Sequence, residues 1–200
     1  MSGWLKIPVD TAFKNQLTQL DRSFELVKQH YPALAIELEQ PLRDTISTTR
    51  RSIGKLTKLL SPELAVANQQ LLRLTFSSAE IQVVTNVINY LPQLLQAEMS
   101  LPEQYFWFKS VGNDFPLLIV LAIAAGSELV KLVDLIDRYL DPNSQVAHPT
   151  ALITGHNLIQ SLSIAPSPVV GKLLTEIQLA RIVGKISTPD EAIEFARNLI

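Results

Sequence analysis

The 200-residue chain is 47% hydrophobic with only seven glycines, which favours a compact fold of one or two domains over a disordered chain. It contains no cysteine, which excludes disulfides, thiolate zinc sites and cysteine nucleophiles and fits a cytoplasmic location. The net charge of −2 is unevenly distributed: residues 1–60 carry nine Lys/Arg against six Asp/Glu, and residues 61–150 carry four against nine. Such asymmetry allows a phosphate-binding surface within a mildly acidic protein.

Apolar residues recur with a period of about 3.6 along nearly the whole chain, which predicts an all-α fold. The predicted helices lie at about 10–30, 32–39, 41–60, 62–74, 78–98, 102–110, 114–125, 127–140, 155–162, 167–183 and 188–199. Pro92 interrupts a periodic run and is predicted to end or kink that helix. The sequence Thr188-Pro-Asp-Glu191 predicts a capping box at the start of the last helix.

The division of the chain into domains is predicted from its prolines. Residues 141–149 contain two prolines among polar neighbours, which is typical of a linker. We therefore expect a multi-helix neck and body over residues 1–145 and a small three-helix tail over residues 146–200. The most apolar run, residues 115–126, is about half the length that spans a bilayer, so we expect a buried helix and no membrane partner.

The predicted helix at 41–60 carries a basic stripe. At 100° per residue, Arg51, Lys55 and Lys58 share a narrow sector with Ser47. The opposite side collects Ile53, Leu56, Leu59 and Leu60. Cations at this spacing can follow a phosphate backbone without reading bases. The alternative is an ordinary solvated face of an amphipathic helix.

A second candidate site lies on the predicted helix that begins near Pro168. Its N-terminus presents backbone N–H groups, Gly171 permits close approach, and Lys172 adds charge. Arg181 and Lys185 extend the polar side of the helix. In the alternative interpretation, Gly171 serves close helix packing and the lysines only solvate the surface.

No catalytic or metal site is predicted. Nucleotidyl transfer needs two metal ions held by closely spaced carboxylates, usually as Asp-x-Asp, and this chain has no such motif. Asp134 and Asp137 could share a helix face, but a solvated surface is the favoured interpretation. Gly126-Ser127 resembles a Gly-Ser loop only superficially, since no strand or Asp-x-Asp supports it, and Ser127 fits an N-cap better.

Three short segments near the C-terminus carry a family resemblance. They are Ala151-Leu-Ile-Thr-Gly-His-Asn-Leu-Ile, Ala165-Pro-Ser-Pro-Val-Val-Gly and Gly184-Lys-Ile-Ser-Thr-Pro-Asp-Glu-Ala. Their order resembles the tail of the bacterial CCA-adding tRNA nucleotidyltransferase and poly(A) polymerase family. The matching residues are Leu152, Gly155, Leu158, Pro166, Pro168, Gly171, Leu174, Gly184, Ile186, Thr188, Glu191 and Ala192. Asn157 and Ser167 depart from the family pattern, which has an acid and a glycine at these positions.

The resemblance implies the neck, body and tail of such an enzyme without its catalytic head. The partners it implies are tRNA or another structured RNA, whose outer corner the family's tail grips, and a catalytic head in cis or in trans. Mg²⁺ and nucleoside triphosphates would be needed only where that head is present, and no cofactor is expected in this chain. Homodimerisation stays open, as does the alternative function of a helical protein-interaction or dimerisation module that binds no RNA.

Overall fold

The computed structural model describes residues 10–96 and 98–200. Its elements are α1 Thr11–His30, α2 Pro32–Glu39, β1 Pro41–Arg43, β2 Ile46–Thr49, α3 Arg50–Thr57, α4 Leu64–Arg73, α5 Ser78–Gln96, α6 Leu101–Val111, α7 Phe115–Ala124, α8 Val133–Leu140, α9 Gly155–Leu162, α10 Pro168–Ile182 and α11 Pro189–Arg197. Short 3₁₀ turns lie at Gly112–Asp114 and Leu129–Leu132. The predicted all-α class is confirmed: the described residues are mostly helical, and their one β-sheet is a two-stranded hairpin.

The predicted helix at 41–60 is wrong in its first half. Strands β1 and β2 pair antiparallel, with Pro41 opposite Thr49 and Arg43 opposite Ile46. Asp44 at the turn and the β-branched residues that follow it prefer this geometry to a helix. The helix begins only at Arg50. Thr49 is its N-cap, and the Thr49 side chain accepts a hydrogen bond from the Ser52 N–H at 3.2 Å.

Two other local predictions have different outcomes. Helix α5 continues through Pro92 to Gln96, so the proline does not end it. The capping box at Thr188 is confirmed, since its side chain accepts from the Glu191 N–H and the Glu191 carboxylate accepts from the Thr188 N–H. Backbone and side-chain donors at Ser187 and Thr188 lower the pKa of Glu191.

The described residues form two compact units. The first contains the residues up to Glu98 together with Ser110–Val133, and the second contains Met99–Lys109 and Asp134–Ile200. Helix α7 is the core of the first unit: Phe115 through Ala122 are all buried. Helix α3 packs closely on α7, because a Cβ atom at Gly54 would stand 2.8 Å from Leu117 Cδ1. The predicted division into residues 1–145 and 146–200 stays a prediction.

The tail helices of the second unit share a small apolar core. Its buried members are Ile153, Leu158, Val170, Leu173, Ile177, Ala180, Ile186, Ala192 and Ala196. These residues come from α9, α10, α11, the segment before α9 and the loop between α10 and α11, so the three helices pack as one cluster. This packing fixes the direction of α10, which carries the tail's candidate site residues.

One helical stretch, Leu101–Ala124, passes a test of length and hydropathy for crossing a membrane. Of its most apolar window, 67% is buried within the protein. The stretch also contains the 3₁₀ turn with the buried side chain of Asp114. This is the pattern of a core helix in a folded protein.

Candidate nucleic-acid interface

Arg51 is bound within the protein on several sides. Its guanidinium lies 3.0 Å from Glu39 Oε1, 3.3 Å from Asp21 Oδ1 and 4.0 Å from Glu25 Oε1. Its Cζ lies 3.7 Å from the centre of the Phe24 ring, in cation–π geometry. The side chain is 30% exposed. Arg51 therefore joins α3 to α1 and α2, and its guanidinium faces three carboxylates of those helices.

Lys55 is held by the same acid. Its Nζ lies 2.8 Å from Asp21 Oδ1 and donates a hydrogen bond to Oδ2 at 3.1 Å. The hydrogen bond from Lys55 contributes most to lowering the pKa of Asp21; burial opposes it, and the hydrogen bond from Arg51 lowers the pKa further. Helix α3 thus brings Arg51 and Lys55 together around Asp21, in an ion-pair cluster that the helical wheel does not reveal.

Lys58 and Ser47 do not join this cluster. Lys58 stands at the C-cap of α3, where it is half-buried, and burial lowers the pKa of its ammonium group. Ser47 lies exposed on β2 and not on a helix. The single stripe of four residues expected from a continuous helix is therefore wrong, although Arg51, Lys55 and Lys58 do share α3 and its cap.

Sequence reasoning missed the buried charge next to this stripe. Arg50 Nε donates to Asp114 Oδ1 at 2.8 Å, and Asn86 Nδ2 donates to the other carboxylate oxygen at 2.8 Å. The side chains of Arg50 and Asp114 are only 15% and 8% exposed. Sixty-four residues separate the two partners, so no local pattern could have found the pair.

The N-terminus of α10 is open to solvent. Ser167 is its N-cap but makes no side-chain capping bond, and Pro168 occupies the first turn. Gly171 is exposed, and a Cβ atom there would meet no atom within 4 Å. Lys172 beside it is also exposed. Pro168 has no N–H, and the Val170 N–H donates to the Ser167 carbonyl oxygen at 3.1 Å, so the Val169 N–H is a donor of this turn that has no backbone partner. The positive end of the helix dipole, this N–H and a nearby cation form a site suited to an anion.

The other two tail residues lie at the far end of the same helix. Arg181 Nη1 donates to the carbonyl oxygen of Thr150, so this side chain fastens α10 to the preceding loop. Lys185 follows Gly184, whose φ of +74° ends the helix, and it is exposed. A 15-residue helix is roughly 22 Å long, so Lys172 and Lys185 lie at opposite ends of α10.

Potential metal ligands do not cluster in the part of the chain that the structure describes. No group of three or more His, Asp or Glu side chains there is placed to hold a metal ion. Asp134 and Asp137 are both exposed on α8 and make no ion pair with a described residue.

The family of this chain follows from its sequence match. The model of the family described as tRNA nucleotidyltransferase domain 2 matches residues 44–196, which include the hairpin turn and the helices from α3 to α11 except the last residue of α11. The chain belongs to the tRNA nucleotidyltransferase family and corresponds to its C-terminal portion, as the tail motifs predicted.

A particular relative is the CC-adding tRNA nucleotidyltransferase of Synechocystis sp., which is 34% identical over 192 residues. The alignment covers 94% of this chain but 42% of the relative. The chain therefore spans about two fifths of the length of that enzyme. No solved structure matches the chain with statistical significance.

Proposed function

We propose that this chain is the RNA-binding portion of a tRNA nucleotidyltransferase, acting in the cytoplasm on tRNA or a similarly structured RNA. The observation that carries the proposal is the open N-terminus of α10 within the family-matched region. There the helix end without a side-chain cap, the unobstructed Gly171 backbone and the Lys172 charge lie within the first turn and a half of the helix. This arrangement suits a phosphate of an RNA backbone, because an N–H group and a positive dipole face the anion together.

In this proposal the chain binds and orients RNA, and the chemistry belongs to a catalytic head in cis or in trans. Addition to an RNA 3′ end requires Mg²⁺ and a nucleoside triphosphate at paired carboxylates. The sequence contains no Asp-x-Asp motif. Backbone contacts of the kind offered by α10 recognise the shape of a folded RNA and leave its sequence unread.

The ion pairs around α3 favour the tail over α3 as the main region of phosphate contact. Arg51 and Lys55 already face three carboxylates, so an RNA phosphate must compete with Asp21, Glu25 and Glu39. Lys172 and Lys185 make no ion pair with a described residue. We therefore propose the tail residues as the principal phosphate contacts and the α3 residues as contributors to folding.

The test is the affinity of the purified chain for folded tRNA, measured by fluorescence anisotropy. Lys172→Ala and Lys185→Ala together should lower the affinity for folded tRNA more than for an unstructured RNA of equal length. Lys131→Ala is the matched control, because Lys131 is an exposed lysine paired only with Glu128 at 3.8 Å. If wild type, the Lys172→Ala/Lys185→Ala double variant and the Lys131→Ala control all bind RNA equally and without salt dependence, the RNA-binding proposal is eliminated. A protein-interaction module is then favoured.

A second measurement separates binding from catalysis. The chain alone should incorporate no nucleotide into tRNA with any triphosphate and divalent metal, because its sequence lacks the Asp-x-Asp pair. Robust incorporation by contaminant-free protein would contradict this division of roles.

A further inference from the structure

A polar cleft of about 500 Å³ lies in the second unit, between α8, the loop after it and the end of α10. Four charged side chains line it: Asp137, Arg138, Asp141 and Arg181. Two carboxylates and two guanidiniums leave it without net charge. A phosphate would gain little there, because the attraction of the arginines is offset by the repulsion of the aspartates.

Several of these groups have hydrogen-bonding capacity left over. Asp137 and Arg138 make no ion pair or side-chain hydrogen bond with any described residue, and the Nε atom of Arg138 is buried without a partner. Asp141 uses only Oδ1, which accepts from the Asn143 N–H at 2.9 Å. Arg181 uses only Nη1. A buried donor without a protein partner costs free energy unless a water molecule or a ligand accepts its hydrogen bond. The cleft therefore offers donors and acceptors that a polar ligand could use.

The cleft also has an apolar part. The buried side chain of Val146 and the half-buried side chain of Ile182 line it beside the polar groups. A flat ring can lie against such side chains or against the plane of an arginine guanidinium. Neutral polar edges combined with an apolar surface suit a nucleobase better than a backbone phosphate.

We propose that this cleft binds an unstacked guanine base, which the bound RNA supplies; the proposal rests in part on the proposed function. Guanine presents two adjacent donors, N1–H and the N2 amino group, which a carboxylate such as that of Asp137 accepts together. It also presents the acceptors O6 and N7, which arginine recognises. Adenine, cytosine and uracil each place an acceptor next to a donor on the same edge and would set that acceptor against a carboxylate.

The first test uses the 200-residue chain and mononucleotides, so it does not depend on tRNA binding. GMP, IMP and AMP are titrated to millimolar concentration into ¹⁵N-labelled protein. We expect GMP to perturb the amide signals of residues 137–146 and 181–182 and to bind more tightly than IMP, which lacks the N2 amino group. Asp137→Asn should weaken GMP binding about tenfold, since a bidentate base contact discriminates at this order. Equal binding of the three nucleotides, or no perturbation in the cleft, would overturn the proposal.

Asp134→Asn is the matched control, because Asp134 is an exposed carboxylate on the same helix that does not line the cleft. It should bind GMP as wild type does, and both variants should keep the wild-type amide spectrum outside the cleft. A second arm measures the tRNA affinity of the same proteins. If Asp137→Asn lowers the tRNA affinity and Asp134→Asn does not, RNA is supported as the source of the guanine. If Asp137→Asn leaves the tRNA affinity unchanged, RNA is excluded as that source. Selective GMP binding by a wild-type chain that binds no tRNA would contradict the proposed function and leave the guanine site standing.

Discussion

Two glycines in this chain serve opposite purposes. Gly54 is buried where α3 meets α7, and a side chain there would overlap Leu117. Gly171 is exposed on the first turn of α10 and would meet nothing. The alternative in which close helix packing requires Gly171 is therefore wrong. A helical glycine without a packing role costs stability relative to alanine, which fits a role in letting a ligand approach the backbone.

Gly171→Ala should therefore separate stability from binding. We expect the free energy of unfolding to rise by about 0.4–1 kcal/mol, because alanine restricts the unfolded chain and fits the helix. The affinity for tRNA should fall, because the added methyl group stands where the phosphate backbone approaches. Urea unfolding and anisotropy measure the two effects, and a stabilised variant with undiminished affinity would exclude Gly171 from the contact.

The Arg50–Asp114 pair gives a prediction about stability. Asp114→Ala should lower the free energy of unfolding by about 3–5 kcal/mol, since it leaves the largely buried Arg50 without its partner and removes the acceptor of Asn86. Urea unfolding at neutral pH measures this loss. Asp44→Ala, in the exposed hairpin turn, is the control and should stay within about 0.5 kcal/mol of wild type. A similar small change in both variants would show that the pair contributes little.

At the level of elements, α3 is a connection between helices more than a surface stripe. Its basic residues attach it to α1 through Asp21 and to α2 through Glu39. Its apolar side fits α7 at Gly54. Removing Arg51 and Lys55 should therefore weaken the fold as well as any RNA contact, so their effects on binding need a parallel measurement of stability.

The Asp21 cluster predicts a specific pH dependence. The pKa of Asp21 is lowered in the folded protein, so its ion pairs stabilise the fold above its ordinary pKa of 3.8. That contribution is lost as pH falls through the lowered pKa. The difference in unfolding free energy between wild type and Asp21→Asn should be constant near neutrality and shrink below about pH 4. Urea titrations from pH 7 to pH 3 measure it, and a difference independent of pH would show that the cluster adds no stability.

At the scale of the whole molecule, the mild net charge of −2 makes local phosphate contacts decisive for RNA binding. Each neutralised phosphate contributes a log–log salt slope of about −0.9 on B-form DNA, and we take a similar order for structured RNA. Lys172→Ala with Lys185→Ala should flatten the slope by about two. Arg51→Ala, Lys55→Ala and Lys58→Ala together should flatten it by less than the three expected for free cations, because two of them are already paired.

Binding isotherms from 50 to 200 mM salt measure these slopes, with circular dichroism to check that each variant keeps its helices. A triple variant on α3 that keeps its fold and flattens the slope by three would show that RNA displaces the internal acids. In that case Arg51, Lys55 and Lys58 would be the main phosphate contacts, and the α10 residues would contribute less to RNA binding.

The sequence by itself determined the helical class, the tail helices, their capping box and the family. These features depend on local periodicity, on capping chemistry and on Gly and Pro positions, all of which can be seen within a few residues. The apolar period predicted a helix at 41–49, but the β-branched residues of this segment form a strand instead. Only the tertiary structure decided which charges are free. Arg51 and Lys55 form ion pairs with acids that folding brings near them. Lys172 near the open end of α10 and Asp137 in the cleft form no ion pair with a described residue. Charge pairing depends on distances between residues far apart in the chain, which no local pattern encodes.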